Sequence, residues 1–474
     1  MVRKDQTKKH LLLRYAAWIA IAAVTWIVPP PDGMAEPGWH LLGVFAATIA
    51  SFLIKPLPMG PMVLLGLMGL AITRTLPYKQ VLSGFGDSTV WLVVAAFLIA
   101  GAVGSTGFGR RIALTLVTWL GRSTLGLGYA VCAAELVLGP VVPSNTARGG
   151  GIMAPIVDSL SGALGSDPKE HPERAGRYLT LTAAHANLIT AAMFLTGMAA
   201  NPLVAKAAAD VFGVDFGWGT WALGAVVPGL ASLALLPLFT FRIARPTVVD
   251  ARAAQKKAKT DLDEMGNWTR NQKVMGAVFV MLLTLWSTKG IHGMGSGLVA
   301  WIGVCALFVS GTQPWKAMIG NAKAWDTLIW LGGLLTMANA LKSEGVVGWF
   351  VEKMQGQVVG LGTITLVVVL ALIYFYSMYG FSMLTAHISA FVFAFFAIAA
   401  GANAPAMLIV PLLAYFSNLS GCTTNYSTGP VIIYFELGYV ETPKWFQVGA
   451  LMSLFHLVIW LGLGMVWWKL LGWW

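Results

Sequence analysis

The sequence predicts an all-α polytopic membrane protein with about 11 transmembrane helices plus two re-entrant hairpins in two inverted repeats. Three observations lead there. First, of 474 residues 57% are hydrophobic and only 11% charged, with mean hydropathy +0.72, whereas a soluble chain carries about 25% charged residues. Second, the run Pro143-Ser144-Asn145-Thr146-Ala147-Arg148-Gly149-Gly150-Gly151 interrupts an apolar region. Irregular backbone at membrane depth survives only inside protein or beside a water-filled cavity. Third, a shift of 239 residues carries Thr146-Ala147-Arg148 onto Thr385-Ala386-His387, Asp87 onto Asp326 and Trp91-Leu92 onto Trp330-Leu331. Duplication with interrupted hydrophobic segments is the pattern of secondary transporters.

Taken in order, the first apolar run, about 11–28, follows Arg3, Lys4, Lys8 and Lys9 and precedes Pro29-Pro30-Pro31. It reads as a retained helix with a cytoplasmic N-terminus. Spans two and three cover about 39–54 and 60–75, and span four starts near Ser88. An amphipathic piece follows, to Arg122. The first hairpin, 125–163, has the polar run at its tip; two ordinary spans are the competing reading. Span five, about 178–206, contains His185, Asn187 and Thr190, and then Thr196-Gly197-Met198-Ala199-Ala200-Asn201-Pro202. That Gly/Asn/Pro cluster predicts unwinding at mid-depth. Span six covers about 220–241.

The stretch 242–273 is the long hydrophilic segment and reads as a solvated cytoplasmic linker. Beyond it the plan repeats: spans at about 274–288, 295–310 and 326–341, a second hairpin at 361–400, span ten at 405–435 and span eleven at 446–468. Asp87 and Asp326 are expected to cap the helices they start. The domains are therefore 1–38, a leading span and loop; 39–241, the first repeat; 242–273, the linker; and 274–474, the second repeat. Five spans and one hairpin per half make an odd number, so the second half inserts upside down.

The polar tips carry the chemistry. A dianion entering a site of low dielectric needs positive charge. Arg148 and His387 stand at matching places in the two halves, and arginine can hold a carboxylate through two parallel bonds. A carrier with fixed cations would cycle poorly when empty, which implies obligatory exchange. Competing readings stay open: Arg148 can pair with Glu135, His387 can be a neutral core histidine, and His185 can be structural.

Val142 to Gly151, Met193 to Pro202 and Ser427-Thr428-Gly429-Pro430 resemble the divalent anion/sodium symporter (DASS) family. They look like its branch of bacterial citrate/succinate, tartrate/succinate and 2-oxoglutarate/malate exchangers. The resemblance implies a scaffold domain, a transport domain, an elevator mechanism and a homodimer. It also implies substrate binding by Ser144, Asn145, Thr146, Thr385, Ser427 and Thr428, with di- or tricarboxylate substrates such as succinate, malate, 2-oxoglutarate, citrate or tartrate. Charge compensation then falls to Arg148 and His387. In the sodium-coupled branch both tips read Ser-Asn-Thr. Here the second reads Met383-Leu384-Thr385, and Met and Leu offer sodium no oxygen.

The expectation is a sodium-independent antiporter of the inner (plasma) membrane. The alternative is a sodium-coupled symporter using Ser144, Asn145 and Gly197, and an anion channel is a third option. An enzyme is not expected, because the chain contains neither H-E-x-x-H nor G-x-S-x-G. The net charge of +11 sits mostly in loops, as the positive-inside rule requires, so the expected partners are small anions and the lipid bilayer and not nucleic acid. Three cysteines, all in apolar segments, suggest neither structural disulfides nor a zinc site. No cofactor is expected.

Overall fold

The computed structural model describes residues 2–354 and 362–474. Among them there are helices and no strand. In hydrocarbon every backbone polar group must be satisfied within the segment, and the helix is the local way to do it. Among the described residues seven helices are long and apolar enough to cross a bilayer, and four shorter apolar helices accompany them. The chain is a multi-pass membrane protein.

The first half begins with α1 (Val2–Ile27), α2 (Glu36–Ile54) and α3 (Met59–Ile72). The third span is shorter than expected, because Arg74 turns the chain with a left-handed φ of 59°. α4 (Ser88–Ser105) is capped by Asp87, whose carboxylate accepts from Thr89 N at 2.7 Å. α5 (Phe108–Leu120) leads to α6 (Thr124–Leu138). The polar run then supplies a short turn, Asn145–Arg148, and a π-helical stretch, Gly149–Met153, that leads into α7 (Ala154–Ala163). α8 (Gly176–Met193) and α9 (Asn201–Phe212) are separated by the 3-10 turn Leu195–Gly197, so the expected unwinding is present. α10 (Trp218–Ile243) completes the half.

The linker is more than a solvated run, which corrects the expectation. It contains α11 (Arg252–Glu264), packed on α5 and α7. Arg111 on α5 is buried; it donates to Met265 O and Gly266 O at 3.0 and 2.8 Å. Its guanidinium lies 5.1 Å from the Trp268 ring centroid. Asp261 pairs with Lys257 and lies 3.9 Å from Arg110. Outside the spans, Asp250 is pushed down to about 2 by its hydrogen bonds from Arg252.

The second half has α12 (Arg270–Ser287), α13 (Ser296–Val309), α14 (Ala322–Ser343) and α15 (Val346–Met354). α16 (Thr363–Tyr376) and α17 (Leu384–Gly401) fall within the expected second hairpin, whose first residue, 361, lies outside the described residues. α18 (Ala406–Leu419) and α19 (Gly429–Glu436) are again separated by a 3-10 turn, Ser420–Thr423. α20 (Thr442–Leu457) passes through the π-helical Val458–Gly464 into α21 (Met465–Leu470).

One boundary differs in a way that matters. α14 begins at Ala322 and is capped by Asn321, whose side chain accepts from Ala324 N at 3.2 Å. Asp326 is therefore not a cap. Its carboxylate is left free inside the first turns.

Two groups of helices pack among themselves. α2, α3, α4, α13 and α14 form one, and α6, α8, α10, α16 and α18 form the other. α17 and α9, which pack on α18 of the second group, bridge to the first, α17 touching α2 and α9 touching α14. Gly84, in the turn ahead of α4, joins the two halves of the first group. Its N–H donates to Thr336 Oγ1 at 3.0 Å, and a Cβ there would stand 2.1 Å from Gly332 O. Backbone cannot yield as a flexible side chain can. Gly84→Ala is expected to cost about 1–3 kcal/mol, read as a lower unfolding temperature in detergent. Gly86→Ala, where a Cβ meets nothing within 4 Å, should leave that temperature unchanged.

Candidate functional site

The helix breaks leave backbone carbonyls without helical partners, and side chains satisfy them. Asn201 Nδ2 donates to Ala191 O and Phe194 O at 2.9 and 3.0 Å, and Trp221 Nε1 donates to Ala192 O at 2.7 Å. Asn418, in the last helical turn before the break in the other half, donates to Asn201 Oδ1 at 2.8 Å. Thr196 Oγ1 donates to Pro140 O at 2.5 Å. The breaks and the polar run are thus held as one unit.

Arg148 is the centre of that unit. It is fully buried, and so is Glu135. Its Nε donates to Glu135 Oε2 at 2.6 Å. Nη1 donates to Val142 O at 2.8 Å and Gly197 O at 3.2 Å. Nη2 donates to Asn187 O at 3.3 Å and Thr190 Oγ1 at 3.1 Å. An arginine has five N–H donors, and these bonds use all of them. Asn187 Nδ2 lies 3.1 Å from both Glu135 oxygens and 3.2 Å from Asn145 O. Gly149 permits this approach, since a Cβ there would lie 2.9 Å from Asn187 Nδ2.

The expectation that Arg148 faces the anion is therefore corrected. Its charge is matched by Glu135, the pairing that the sequence left open, and it has no donor to spare. His387 is corrected likewise. Its ring is buried against Tyr374, Phe381 and Phe391, with Nε2 at 2.8 Å from Ser377 Oγ and 3.0 Å from Tyr374 O. His185 is buried 6.4 Å from the His456 ring, away from the cavity.

Beside the Arg148 unit lies a cavity of about 440 Å³, a volume that suits a small molecule. Five of the expected binding residues line it: Ser144, Asn145, Thr146, Thr385 and Thr428. Ser427 does not; it is buried, and its hydroxyl donates to Gly421 O at 2.6 Å. Asn145 Nδ2 donates to Thr428 Oγ1 at 3.3 Å, joining the two halves. Gly429 makes room for the junction, because a Cβ would meet Thr146 Oγ1 at 2.5 Å.

The lining is rich in donors. Ser144 Oγ already accepts from Ala147 N, and Thr428 Oγ1 accepts from Asn145, so each hydroxyl keeps its proton for the cavity. α17 and α19 begin here, at Met383 and Thr428, without a side-chain cap. Helix N-termini present unpaired N–H groups and a positive partial charge. The surface fits an oxygen anion.

Two charged residues were missed as cavity residues: Lys323 and Asp326, both exposed on α14. Placing the start of the span at Asp326 assigned Lys323 to a loop. The signal was available in Asn321, a good cap two residues before Lys323. For the sodium alternative, Ser144 and Asn145 reach the cavity while Gly197 O is engaged by Arg148.

Removing one partner of a buried pair strands the other. Arg148→Ala and Glu135→Ala are each expected to cost about 3–5 kcal/mol. The double variant Arg148→Met with Glu135→Leu should recover more than half of that loss, measured by thermal unfolding in detergent.

The model of a family described as the sodium:sulfate symporter transmembrane region matches residues 9–474. The Bacillus subtilis protein named "Putative malate transporter YflS" is 42% identical over 457 residues, covering 96% of each chain. The Spinacia oleracea protein named "Dicarboxylate transporter 1, chloroplastic" is 38% identical over 461 residues, 97% of this chain and 81% of that one. Among solved structures, the Alcanivorax borkumensis YdaH transporter shares the fold with a TM-score of 0.58 at 14% identity, over 83% of this chain and 88% of that one. The chain belongs to the sodium:sulfate symporter family, the divalent anion/sodium symporters that its motifs resemble, and is a membrane transporter and not an enzyme.

Proposed function

We propose that this chain is a secondary carrier exchanging dicarboxylates across the inner membrane by sodium-independent antiport. The observation that carries the reading is the guanidinium of Arg148 on Gly197 O and Val142 O. Carbonyl and hydroxyl oxygens are what a sodium ion requires. Here a fixed cation holds them, and it stays when the substrate leaves. Relatives named as malate and dicarboxylate transporters support the substrate class. A relative named "Inner membrane protein YbhI", from Escherichia coli and 34% identical over 479 residues, supports the location.

The reason for exchange shifts from Arg148 to the cavity. Arg148 is neutralised by Glu135, so it adds no charge to an empty carrier. The spare hydroxyl donors and the uncapped helix N-termini do add a cost. Moving them through a dry interior without an acceptor costs about 1–3 kcal/mol for each unsatisfied group. A bound anion removes that cost in both directions.

The same reading gives the chain about 11 spans, two re-entrant hairpins, inverted repeats within the boundaries given above and a cytoplasmic N-terminus. The helix group that bears α6, α8, α16 and α18 moves as the transport domain of an elevator. The group of α2, α3, α4, α13 and α14 is the scaffold, in a homodimer. The second reading is sodium-coupled symport, favoured by the intact Ser144-Asn145-Thr146 and by the name of the family.

Counterflow separates the two. Proteoliposomes loaded with succinate and given labelled dicarboxylate should accumulate label equally in sodium and choline buffers, and empty vesicles should take up little. Uptake into empty vesicles driven by a sodium gradient would establish the second reading instead.

A further inference from the structure

With Arg148 and His387 withdrawn from the cavity, positive charge for a second carboxylate must come from elsewhere. Lys323 is the cation on the cavity wall, and it has no ion-pair partner among the described residues. Asp326 stands three residues on, along the same face of α14. It too has no ion-pair partner there, although it lines the same cavity. It also lines an adjoining cavity of about 550 Å³ that reaches Lys55. Gly60 leaves space for its carboxylate; a Cβ at Gly60 would stand 2.6 Å from Asp326 Oδ1.

Both charges enter the cavity from α14, a different element from those that carry the donors. Ser144, Thr428 and the start of α17 belong to the polar run, the second break and the second tip. α14 packs instead on α2, α3 and α4. An anion held at one end by hydroxyls and helix N-termini shares the cavity with Lys323 and Asp326 of α14.

We propose that Lys323 and Asp326 form a charge filter that admits two carboxylates and rejects a third. Lys323 takes the distal carboxylate of a dianion. Asp326, a negative charge on the same helix face with no close ion pair among the described residues, repels any further carboxylate, so a tricarboxylate is excluded by like-charge repulsion. This rests on the proposed dicarboxylate exchange and narrows its substrate class to dianions.

The test uses succinate counterflow with citrate as competitor, in proteoliposomes, after the wild type has been shown to exchange succinate. If the wild type does not exchange it, the functional reading fails before the filter is examined. Lys323→Gln should raise the half-saturating succinate concentration about tenfold, equivalent to about 1.4 kcal/mol. Lys323→Arg, which keeps the charge, should stay within about threefold of the wild type. Asp326→Asn should lower the ratio of the citrate concentration for half inhibition to the half-saturating succinate concentration about tenfold. An unchanged half-saturation in Lys323→Gln would overturn the proposal, as would an unchanged citrate-to-succinate preference in Asp326→Asn. A misfolded variant loses both anions together and cannot mimic the change in preference.

Discussion

The buried pair of Arg148 and Glu135 is the constraint on which the rest of the site depends. An isolated charge at this depth costs several kcal/mol, and the pair is tolerable only if every remaining donor and lone pair is satisfied. That condition ties together four parts of the chain. Glu135 comes from α6 and Arg148 from the polar turn. Asn187 and Thr190 come from α8, and Gly197 from the break after it. The pair therefore fixes the turn against the broken helix. With the turn fixed, Ser144 and Asn145 face the cavity and Asn145 reaches Thr428 of the other half.

This arrangement separates two tasks that a mobile cation would perform together. One is structural, holding the carbonyl oxygens of Val142 and Gly197. The other is electrostatic, offsetting the charge of the substrate. Arg148 performs the first and is excluded from the second by Glu135. In the proposed account the second is shared by spare hydroxyl protons, two uncapped helix N-termini and Lys323. Partial charges fixed by the fold need no ion to arrive with the substrate.

Much of this was legible in the residues. The polar run, the two helix breaks and the repeat are visible because polar and glycine residues stand out in apolar sequence. Five of six expected binding residues reach the cavity for the same reason. What was not legible is direction. The same Arg148 can face an anion or turn back to Glu135, and only the packing of α6 against α8 decides. His387 occupies the matching place in the second half, yet aromatic rings enclose it. Asp326 aligns with Asp87, but Asn321 takes over capping and moves the helix start to Ala322. The linker looked solvated because its charges hide the apolar face that α11 lays on α5 and α7.

The central claim is that a fixed guanidinium occupies the oxygens a sodium ion would need. Equilibrium binding of labelled sodium to the purified protein, with and without succinate, tests it most directly. The account predicts no saturable sodium binding in either condition. Saturable binding that strengthens with succinate would contradict it, since a cation site would then exist despite Arg148.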